Sequence, residues 1–236
     1  MLTIQGLTAI YPDKTKAVDG IDLIVNDGES VALIGENGAG KTSLLLAVVG
    51  VIESLSGVVE IDGVRLGKKT AGEIRKKAGL VFQNPDDQLF MPLIYDDIAF
   101  GCRNLGMPED EVKARVADVL DRLNIAHLRG RSPLKLSGGE KRAVAMAAVL
   151  AMNPSLLMLD EPTAFLDHRA RRSLVETLKK LSQTKIIATH DIAFAAEVCD
   201  RAVILKDGKI AVDGASSLLY DEKLMSDYRL EAIAKG

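Results

Sequence analysis

A glycine-rich run between an apolar segment and a helix-forming segment constrains this 236-residue chain more than any other feature. Its spacing is G-x-x-x-x-G-K-T, in which glycines let main-chain N–H groups turn toward an anion at the start of a helix. The lysine and the hydroxyl residue after it suit phosphate oxygens and Mg²⁺. The run therefore predicts a phosphate-binding loop between a strand and a helix. It reads Gly35-Glu36-Asn37-Gly38-Ala39-Gly40-Lys41-Thr42-Ser43.

Three further apolar segments read as strands that end in polar residues. Residues 79–83 end in Gln83, residues 155–159 run into Asp160-Glu161, and residues 185–189 run into His190. The carboxyl ends of the strands are where an α/β sheet places its ligand groups. These side chains are therefore candidates for one site, although Gln83 can also be a loop glutamine and a lone histidine can be structural.

Asp160 and Glu161 follow an apolar strand of the kind that is buried on both faces of a parallel sheet. On an extended chain, neighbouring side chains point to opposite sides, so we expect the two acids to have different tasks. One can approach Mg²⁺ at the phosphate loop, while the other can face a water molecule at the γ-phosphate.

The remaining pattern predicts an α/β fold with two additions. Short strands at 2–5, 21–25, 57–61 and 64–66 predict an antiparallel β layer, and residues 202–205 and 209–212 close the main sheet. Helical spacing dominates from about 88 to 152, and a polar, amphipathic helical tail follows from about 215. We expect one domain over 1–236, with residues 1–84 and 153–236 forming the core and 85–152 a helical insert.

Two features can be read in more than one way. Leu136-Ser137-Gly138-Gly139-Glu140 opens a predicted helix with Ser137 as the N-cap, and it is either a flexible cap or a second anion site. Tyr11, which precedes Pro12, is either a turn aromatic or a ring that stacks on a base.

Composition excludes several classes of protein. The net charge is −3, the chain has no Trp, and it carries neither a basic patch nor a stacking platform for nucleic acid. Cys102 and Cys199 lie far apart in the sequence. We expect them to be buried or free thiols in a reducing compartment. No apolar run approaches the ~18 residues of a membrane span. We expect a soluble, cytoplasmic protein.

Taken in order, these motifs resemble those of the nucleotide-binding subunits of ATP-binding-cassette (ABC) systems, and the resemblance covers essentially the whole chain. Gly35–Ser43 corresponds to the Walker A loop of a P-loop NTPase core, and Leu136–Glu140 to the LSGGE signature. The other correspondences are Tyr11 with the adenine-stacking aromatic, Gln83 with the glutamine loop, Asp160 with the Walker B aspartate, Glu161 with the catalytic glutamate, Asp167 with the aspartate loop and His190 with the switch histidine.

The resemblance implies an ATPase that works as a head-to-tail dimer. Each ATP would lie between the Walker A loop of one subunit and the signature of the other. Glu161 would polarise the attacking water, and His190 would contact the γ-phosphate and that water. Asp160, Thr42 and Gln83 would hold Mg²⁺. All hydrolytic residues are present in one chain, so a homodimer is favoured. Ala164-Phe165 stands where the family has a small pair of residues, a departure that bears on how the partner loops pack.

A finer resemblance rests on residues 81–90, which read VFQNPDDQLF. The run is similar to the ATPase subunits of energy-coupling-factor importers, especially those for cobalt and nickel. It implies a groove for a transmembrane scaffold, contacted by Asp86, Asp87 and Gln88, and a separate membrane component that binds the substrate. The chain would then lie at the cytoplasmic face of the membrane. Most apolar residues of 89–100 are expected to pack inside the helical insert. Alternatives are the ATPase of a vitamin or other small-solute importer, and a soluble cassette ATPase without a transport role.

Overall fold

The computed structural model of the chain describes residues 1–233 and, within them, holds two β-sheets and eight α-helices. The last residues of the predicted tail, 234–236, lie outside the described residues. The strands are β1 (Leu2–Ile10), β2 (Lys16–Val25), β3 (Ser30–Ile34), β4 (Glu53–Ile61), β5 (Val64–Arg65), β6 (Ala78–Val81), β7 (Leu156–Asp160), β8 (Thr184–Ala188), β9 (Arg201–Lys206) and β10 (Lys209–Ala215). The helices are α1 (Lys41–Val48), α2 (Ala71–Lys77), α3 (Ile94–Asn104), α4 (Glu109–Arg122), α5 (Gly138–Ala151), α6 (His168–Lys180), α7 (Ile192–Val198) and α8 (Glu222–Asp227).

The main sheet has the strand order β10-β9-β3-β8-β7-β6. All its neighbours pair in parallel except β9 and β10, which form an antiparallel hairpin. Ala188 is in register with Leu33 on one side and with Asp160 on the other. The phosphate loop, the acidic pair and the turn that carries His190 therefore leave the sheet at the same edge. This edge is where the sequence predicts the site.

Both faces of the main sheet are buried, as the continuous apolar strands predict. Along β3, Ala32 and Ile34 contribute to one hydrophobic core, whereas Val31 and Leu33 contribute to the other. The first core contains the helical insert, α6, α7 and the tail, and the second contains α1 and the antiparallel sheet. The predicted α/β fold is confirmed.

The predicted antiparallel layer is confirmed as a four-stranded sheet of order β2-β1-β4-β5. Three of its strands are longer than the sequence indicated. β1 pairs with both β2 and β4 through register shifts, which interrupt the alternation of apolar residues. Because a periodic pattern ends at such a shift, the sequence reveals only part of each strand. The sheet packs against α1 and thereby supports the phosphate loop from behind.

Between β6 and β7 the described chain forms only helices, which are α3, α4, α5 and short 3₁₀ turns. Leu89, Ile94 and Ile98 are buried, as expected. The same expectation was wrong for three apolar neighbours, which lie on or next to the solvent face of α3 and are 63%, 42% and 38% exposed. These are Phe90, Leu93 and Phe100.

The tail is helical and amphipathic where it is described. A 3₁₀ segment at Ser216–Tyr220 precedes α8, and Leu219 and Met225 are fully buried against the larger core. The sequence did not reveal α2 and α7, which have seven residues each. Cys102 and Cys199 are buried free thiols, as predicted, and burial raises the pKa of Cys199 to about 12. Within residues 1–233, no helix combines the length and apolarity that crossing a bilayer requires.

Candidate functional site

The glycines of the phosphate loop occupy positions that a side chain would disrupt. Gly40 has φ +102°, and a Cβ there would lie 2.7 Å from the carbonyl oxygen of Ala17. A Cβ on Gly35 would lie 2.4 Å from the carbonyl oxygen of Leu205. Both contacts are shorter than packed atoms allow, so the loop can approach β2 and β9 this closely only with glycine. The helix that follows has no side-chain cap at its first turn, which leaves its N–H groups open to an anion.

Lys41 is almost fully buried at the start of α1. Its Nζ donates to the carbonyl oxygens of Gly35 at 2.6 Å and Glu36 at 3.2 Å, and lies 3.9 Å from Oε1 of Glu161. Burial lowers the pKa of Lys41, and the charges of Glu161 and Asp160 oppose this effect. The ammonium group is thus folded into the loop, within reach of the acidic pair.

Tyr11 lies at the mouth of the same region. Its hydroxyl group hydrogen-bonds Oγ of Ser43 at 2.7 Å, which ties the turn after β1 to α1. Asn37, Gly38 and Thr42 line the cleft beside it, while Ala39 is buried behind the loop. Both interpretations of Tyr11 therefore stay open, because its ring belongs to a turn and also borders the cleft.

Asp160 ends β7 and is 3% exposed. Its pKa is raised by burial, although a hydrogen bond with Thr42 opposes the shift. Its Oδ1 is buried and has no hydrogen-bond partner among the described residues. A buried carboxylate oxygen without a donor, next to the hydroxyl of Thr42, fits a hard cation such as Mg²⁺.

Glu161 departs from the extended backbone that the sequence argument assumed. Its φ is +44°, in the left-handed region, so the prediction that Asp160 and Glu161 alternate along an extended chain was wrong in its geometry. The two acids still have different partners. Oε2 of Glu161 accepts from the main-chain N–H of His190 at 3.2 Å and contacts Nδ1 of His190 at 2.8 Å.

Most of the residues predicted around the nucleotide line one cleft of about 490 Å³, which we call the nucleotide cleft. Gly35, Ala39 and Asp160 were predicted with them but do not line it. Gln83 enters it from the loop after β6, with an exposed side chain. The strand ends before this residue, at Val81, and not at Gln83 as the sequence indicated. The lining residues are Tyr11, Thr15, Lys16, Ala17, Asn37, Gly38, Gly40, Lys41, Thr42, Ser43, Gln83, Glu161 and His190.

The signature lies elsewhere. Residues 137–140 line a second cavity of about 780 Å³, together with Phe165, Leu166 and Asp167, and none of them lines the nucleotide cleft. Ser137 is the N-cap of α5, as predicted, and it forms a capping box with Glu140. Leu136 is buried beside it.

The loop between the acidic pair and α6 is exposed at its tip. Phe165 is 91% exposed with φ +62°, and Oδ1 of Asp167 accepts from the N–H of Ala170 at 2.7 Å, which caps α6. An exposed aromatic side chain on a left-handed backbone is unusual, and it stands where the resemblance led us to expect a small residue.

The three predicted contact residues for a membrane partner differ in their exposure and in their contacts within the chain. Asp86 pairs with Lys141 at 2.6 Å, and Asp87 is exposed. Gln88 uses both ends of its amide group inside the chain: it accepts from the N–H of Phe82 at 3.2 Å and donates to the carbonyl oxygen of Ala145 at 2.8 Å. The amide of Gln88 therefore braces the glutamine loop against α5, and contact of Asp86, Asp87 and Gln88 with a membrane partner stays a prediction.

Two residues of this region were not found from the sequence. Arg142 of α5 donates to main-chain carbonyl groups of the glutamine loop, and Arg171 of α6 pairs with Asp191 at 3.0 Å, beside His190. Arg142 had a usable signal, because it is the only charged residue in the otherwise apolar stretch 142–151. Arg171 had none, because it lies among several charged residues on an amphipathic helix.

Comparison with known proteins agrees with the resemblance to ABC systems. Residues 18–164 match the family model described as ABC transporter. The energy-coupling factor transporter ATP-binding protein EcfA of Methanothermobacter thermautotrophicus is 43% identical over 91% of this chain and 70% of its own length.

Two solved structures share the fold over almost their whole length. One is cbiO1 from Clostridium perfringens, described as part of the ABC transporter complex cbiONQ, with a TM-score of 0.83 and 38% identity, covering 95% of this chain and 92% of that one. The other is the dimeric, post-hydrolysis state of the ATP-binding cassette MJ0796 bound to ADP and Pi, with a TM-score of 0.81 and 27% identity, covering 92% of this chain and 99% of that one.

Proposed function

From the premise that this chain belongs to the ABC transporter family and is an ATPase of the energy-coupling-factor type, we propose that it powers the import of cobalt or nickel ions. The observation that carries the proposal is the meeting of Lys41, Glu161 and His190 in one cleft at the carboxyl edge of the sheet. The likeness to cbiO1 and the run at residues 81–90 support the choice of cargo.

In this proposal, Glu161 is the group that polarises the attacking water. Its Oε2 is already oriented by two contacts with His190, while Oε1 faces Lys41. An acceptor-only carboxylate held from both sides can take a hydrogen bond from water with little further reorganisation. His190 is mostly exposed at the cleft, so its ring can also contact the terminal phosphate.

Nucleotide binding rests on the loop, Lys41 and Tyr11. When ATP enters, its phosphates would replace the carbonyl oxygens of Gly35 and Glu36 as partners of Lys41. Asp160, Thr42 and Gln83 would hold Mg²⁺, which neutralises charge on the phosphate oxygens when it is bound. The ring of Tyr11 would stack on the base at the mouth of the cleft.

The experiment on the chemistry is the substitution Glu161→Gln. We expect ATP binding to be retained, turnover to fall ~100-fold or more, and an ATP-dependent dimer to accumulate. The matched control is Glu176→Gln on the exposed face of α6, which should leave turnover unchanged. A Glu161→Gln variant that hydrolyses ATP near the wild-type rate would refute the role of this residue.

The membrane partner would dock on the exposed apolar patch formed by Phe90, Leu93 and Phe100. The rings of Phe90 and Phe100 touch edge to face, with centroids 5.0 Å apart, and Asp87 lies exposed in the preceding loop. Large apolar side chains that cluster on a surface favour a binding role, and here they adjoin the glutamine loop. A transmembrane scaffold seated on this patch would hold the chain at the cytoplasmic face of the membrane.

The partner and the cargo can be tested together by affinity purification of the tagged protein from solubilised native membranes, with quantification of bound metal. Recovery of a polytopic scaffold with one metal-loaded membrane component would support the proposal. Several interchangeable small membrane binders would favour vitamin import, and recovery of soluble partners alone would refute transport. Phe90→Ser should abolish recovery of the scaffold, whereas Leu55→Ser, which also changes an exposed apolar residue but on the antiparallel sheet, should not.

A further inference from the structure

Arg142 is a buried charged residue at the start of an otherwise apolar stretch of α5. It lies in the first half of α5, is 4% exposed, and is followed by apolar residues to the end of the helix. Burial lowers its pKa, while the charges of Asp160 and Glu161 oppose the shift. A buried cation has to be compensated by several well-placed acceptors, so its partners show what the position is for.

Those partners are main-chain carbonyl groups of two loops. Nη1 donates to the carbonyl oxygen of Phe82 at 2.9 Å, and Nη2 donates to that of Gln83 at 2.6 Å. Nη2 also reaches the carbonyl oxygen of Ala164 at 3.4 Å, a weaker contact. The planar fork of a guanidinium group can serve two such acceptors at once, which an ammonium group cannot do with the same geometry.

The two loops and the helix belong to different parts of the site. Gln83 lines the nucleotide cleft, and Ala164 lies between Glu161 and Asp167, whereas α5 starts at the signature. Arg142 itself lines the signature cavity and not the nucleotide cleft. One side chain therefore connects the signature helix with the loops on either side of the candidate catalytic residues.

We propose that Arg142 is a positioning residue that transmits the placement of the signature helix to Gln83 and to the loop after Glu161, and so couples the two ATP sites of a dimer. The inference rests on the proposed dimer, in which the signature contacts the ATP of the partner. ATP bound by the partner fixes the start of α5, and Arg142 passes that constraint to the subunit's own cleft. By linkage, the effect is reciprocal.

Other contacts between α5 and the glutamine loop place the helix but do not reach the loop after Glu161. Lys141 pairs with Asp86, and Gln88 donates to the carbonyl oxygen of Ala145. These contacts hold the outer part of the glutamine loop. Of the side chains in the described part of α5, Arg142 alone hydrogen-bonds both loops.

The test compares Arg142→Lys and Arg142→Met with the wild-type dimer in ATP hydrolysis. We expect kcat to fall ~10-fold, because a small displacement of Gln83 and Glu161 misplaces the reacting groups. The Hill coefficient for ATP should fall from near two toward about one, because the sites no longer communicate. Affinity for ATP in the monomer should change by less than about 2-fold, because Arg142 does not line the cleft. Arg142→Lys should lie between wild type and Arg142→Met.

Arg201→Lys is the matched control. Arg201 also donates to a main-chain carbonyl group, that of Ile24 at 2.8 Å, and to Asp213, but at the far edge of the main sheet. The Arg201→Lys substitution should lower the melting temperature without changing the Hill coefficient. If the Arg142 variants behave in the same way, Arg142 is only structural and the inference is overturned.

A second measurement separates this inference from the proposed function. In the Glu161→Gln background, added Arg142→Lys should raise the ATP concentration that gives half-maximal dimer. If Glu161→Gln alone does not dimerise with ATP, the proposed dimer fails and the inference fails with it. If it dimerises and Arg142→Lys changes neither the dimer nor the cooperativity, the inference alone is refuted.

Discussion

The helix after the phosphate loop and the helix after the signature both start beside glycines, but their first turns are built in opposite ways. At α1 the N-cap is Gly40, which is left-handed and offers no side chain to the first-turn N–H groups. At α5 the N-cap is Ser137, whose Oγ accepts from the N–H of Glu140 at 3.3 Å. Glu140 in turn accepts from the N–H and the hydroxyl of Ser137, both at 2.8 Å.

This difference separates an open anion site from a closed one. The first N–H groups of α1 have no side-chain acceptor and can bind an external anion. The geometry that exposes them depends on Gly35 and Gly40, which have no room for a Cβ. The hydroxyl of Ser137 is already donating to a carboxylate of its own helix. A phosphate that binds at α5 has to displace Glu140 as the partner of the Ser137 hydroxyl. In the proposed dimer, the chain is thus preorganised for its own nucleotide, whereas the donors that it would offer to the partner's nucleotide are occupied within its own helix.

The largest effect that sharpens this comparison is expected for Lys41→Ala. Loss of a charge-assisted contact with the phosphates should weaken ATP binding ~100-fold, because the other lysine that lines the cleft, Lys16, is paired with Asp19 at 3.1 Å. Equilibrium binding of a non-hydrolysable ATP analogue to the isolated chain measures this. Lys179→Ala, which removes an exposed lysine at the end of α6, should bind as the wild type does. Equal binding by the Lys41 variant would show that the open helix start suffices alone.

A smaller effect is expected for Ser137→Ala, and it should appear in a different assay. The isolated chain should bind ATP as the wild type does, because Ser137 is outside the nucleotide cleft. In the Glu161→Gln background, half-maximal dimer should need ~10-fold more ATP, since one donor to the partner's phosphate is lost. Loss of the cap should also lower the free energy of unfolding by about 1 kcal/mol. A variant with normal dimerisation would assign Ser137 to capping alone.

The same contrast shows what can be predicted from the sequence. The glycine spacing and the apolar strands locate the open site, because main-chain geometry and sheet topology follow from local pattern. The Ser137 cap is predictable for the same reason, since its partner lies three residues away. Features that depend on local sequence were predicted, and the family fold followed from their order.

Features that depend on distant partners were missed. The acceptors of Arg142 lie about 60 residues away in the chain at Phe82, and across β7 at Ala164, so no local pattern indicates them. Glu161 has a left-handed backbone where its N–H donates to the carbonyl oxygen of Ala188 on the neighbouring strand β8. The exposed apolar patch was also missed, because Phe90, which precedes α3, and Phe100 on α3 are of a residue type that usually packs in a core. Tertiary contacts decide all three.

Glu140→Gln should shift the closed site in the opposite direction from Ser137→Ala. A glutamine can still accept from the N–H of Ser137, but it carries no charge that opposes an incoming phosphate. In the Glu161→Gln background, half-maximal dimer should therefore need roughly 3-fold less ATP, because like-charge repulsion near the surface is modest. Titration of the dimer by size-exclusion chromatography measures this. A need for more ATP would show that Glu140 supports the dimer and does not hold the site closed.

The smallest effect concerns the pH dependence of the capping box. Hydrogen bonds from the N–H and the hydroxyl of Ser137 hold the pKa of Glu140 below its ordinary value of 4.5. Because the folded-state pKa is lowered, ionised Glu140 stabilises the fold above 4.5, and this stabilisation is lost as the pH falls through the lowered value. Glu140→Gln should therefore lower the free energy of unfolding by at most about 0.5 kcal/mol near neutral pH, after allowance for solvent screening. Urea unfolding across this pH range should show the difference from wild type shrinking toward acid. A difference that stays constant with pH would mean that the carboxylate of Glu140 is not what closes the signature site.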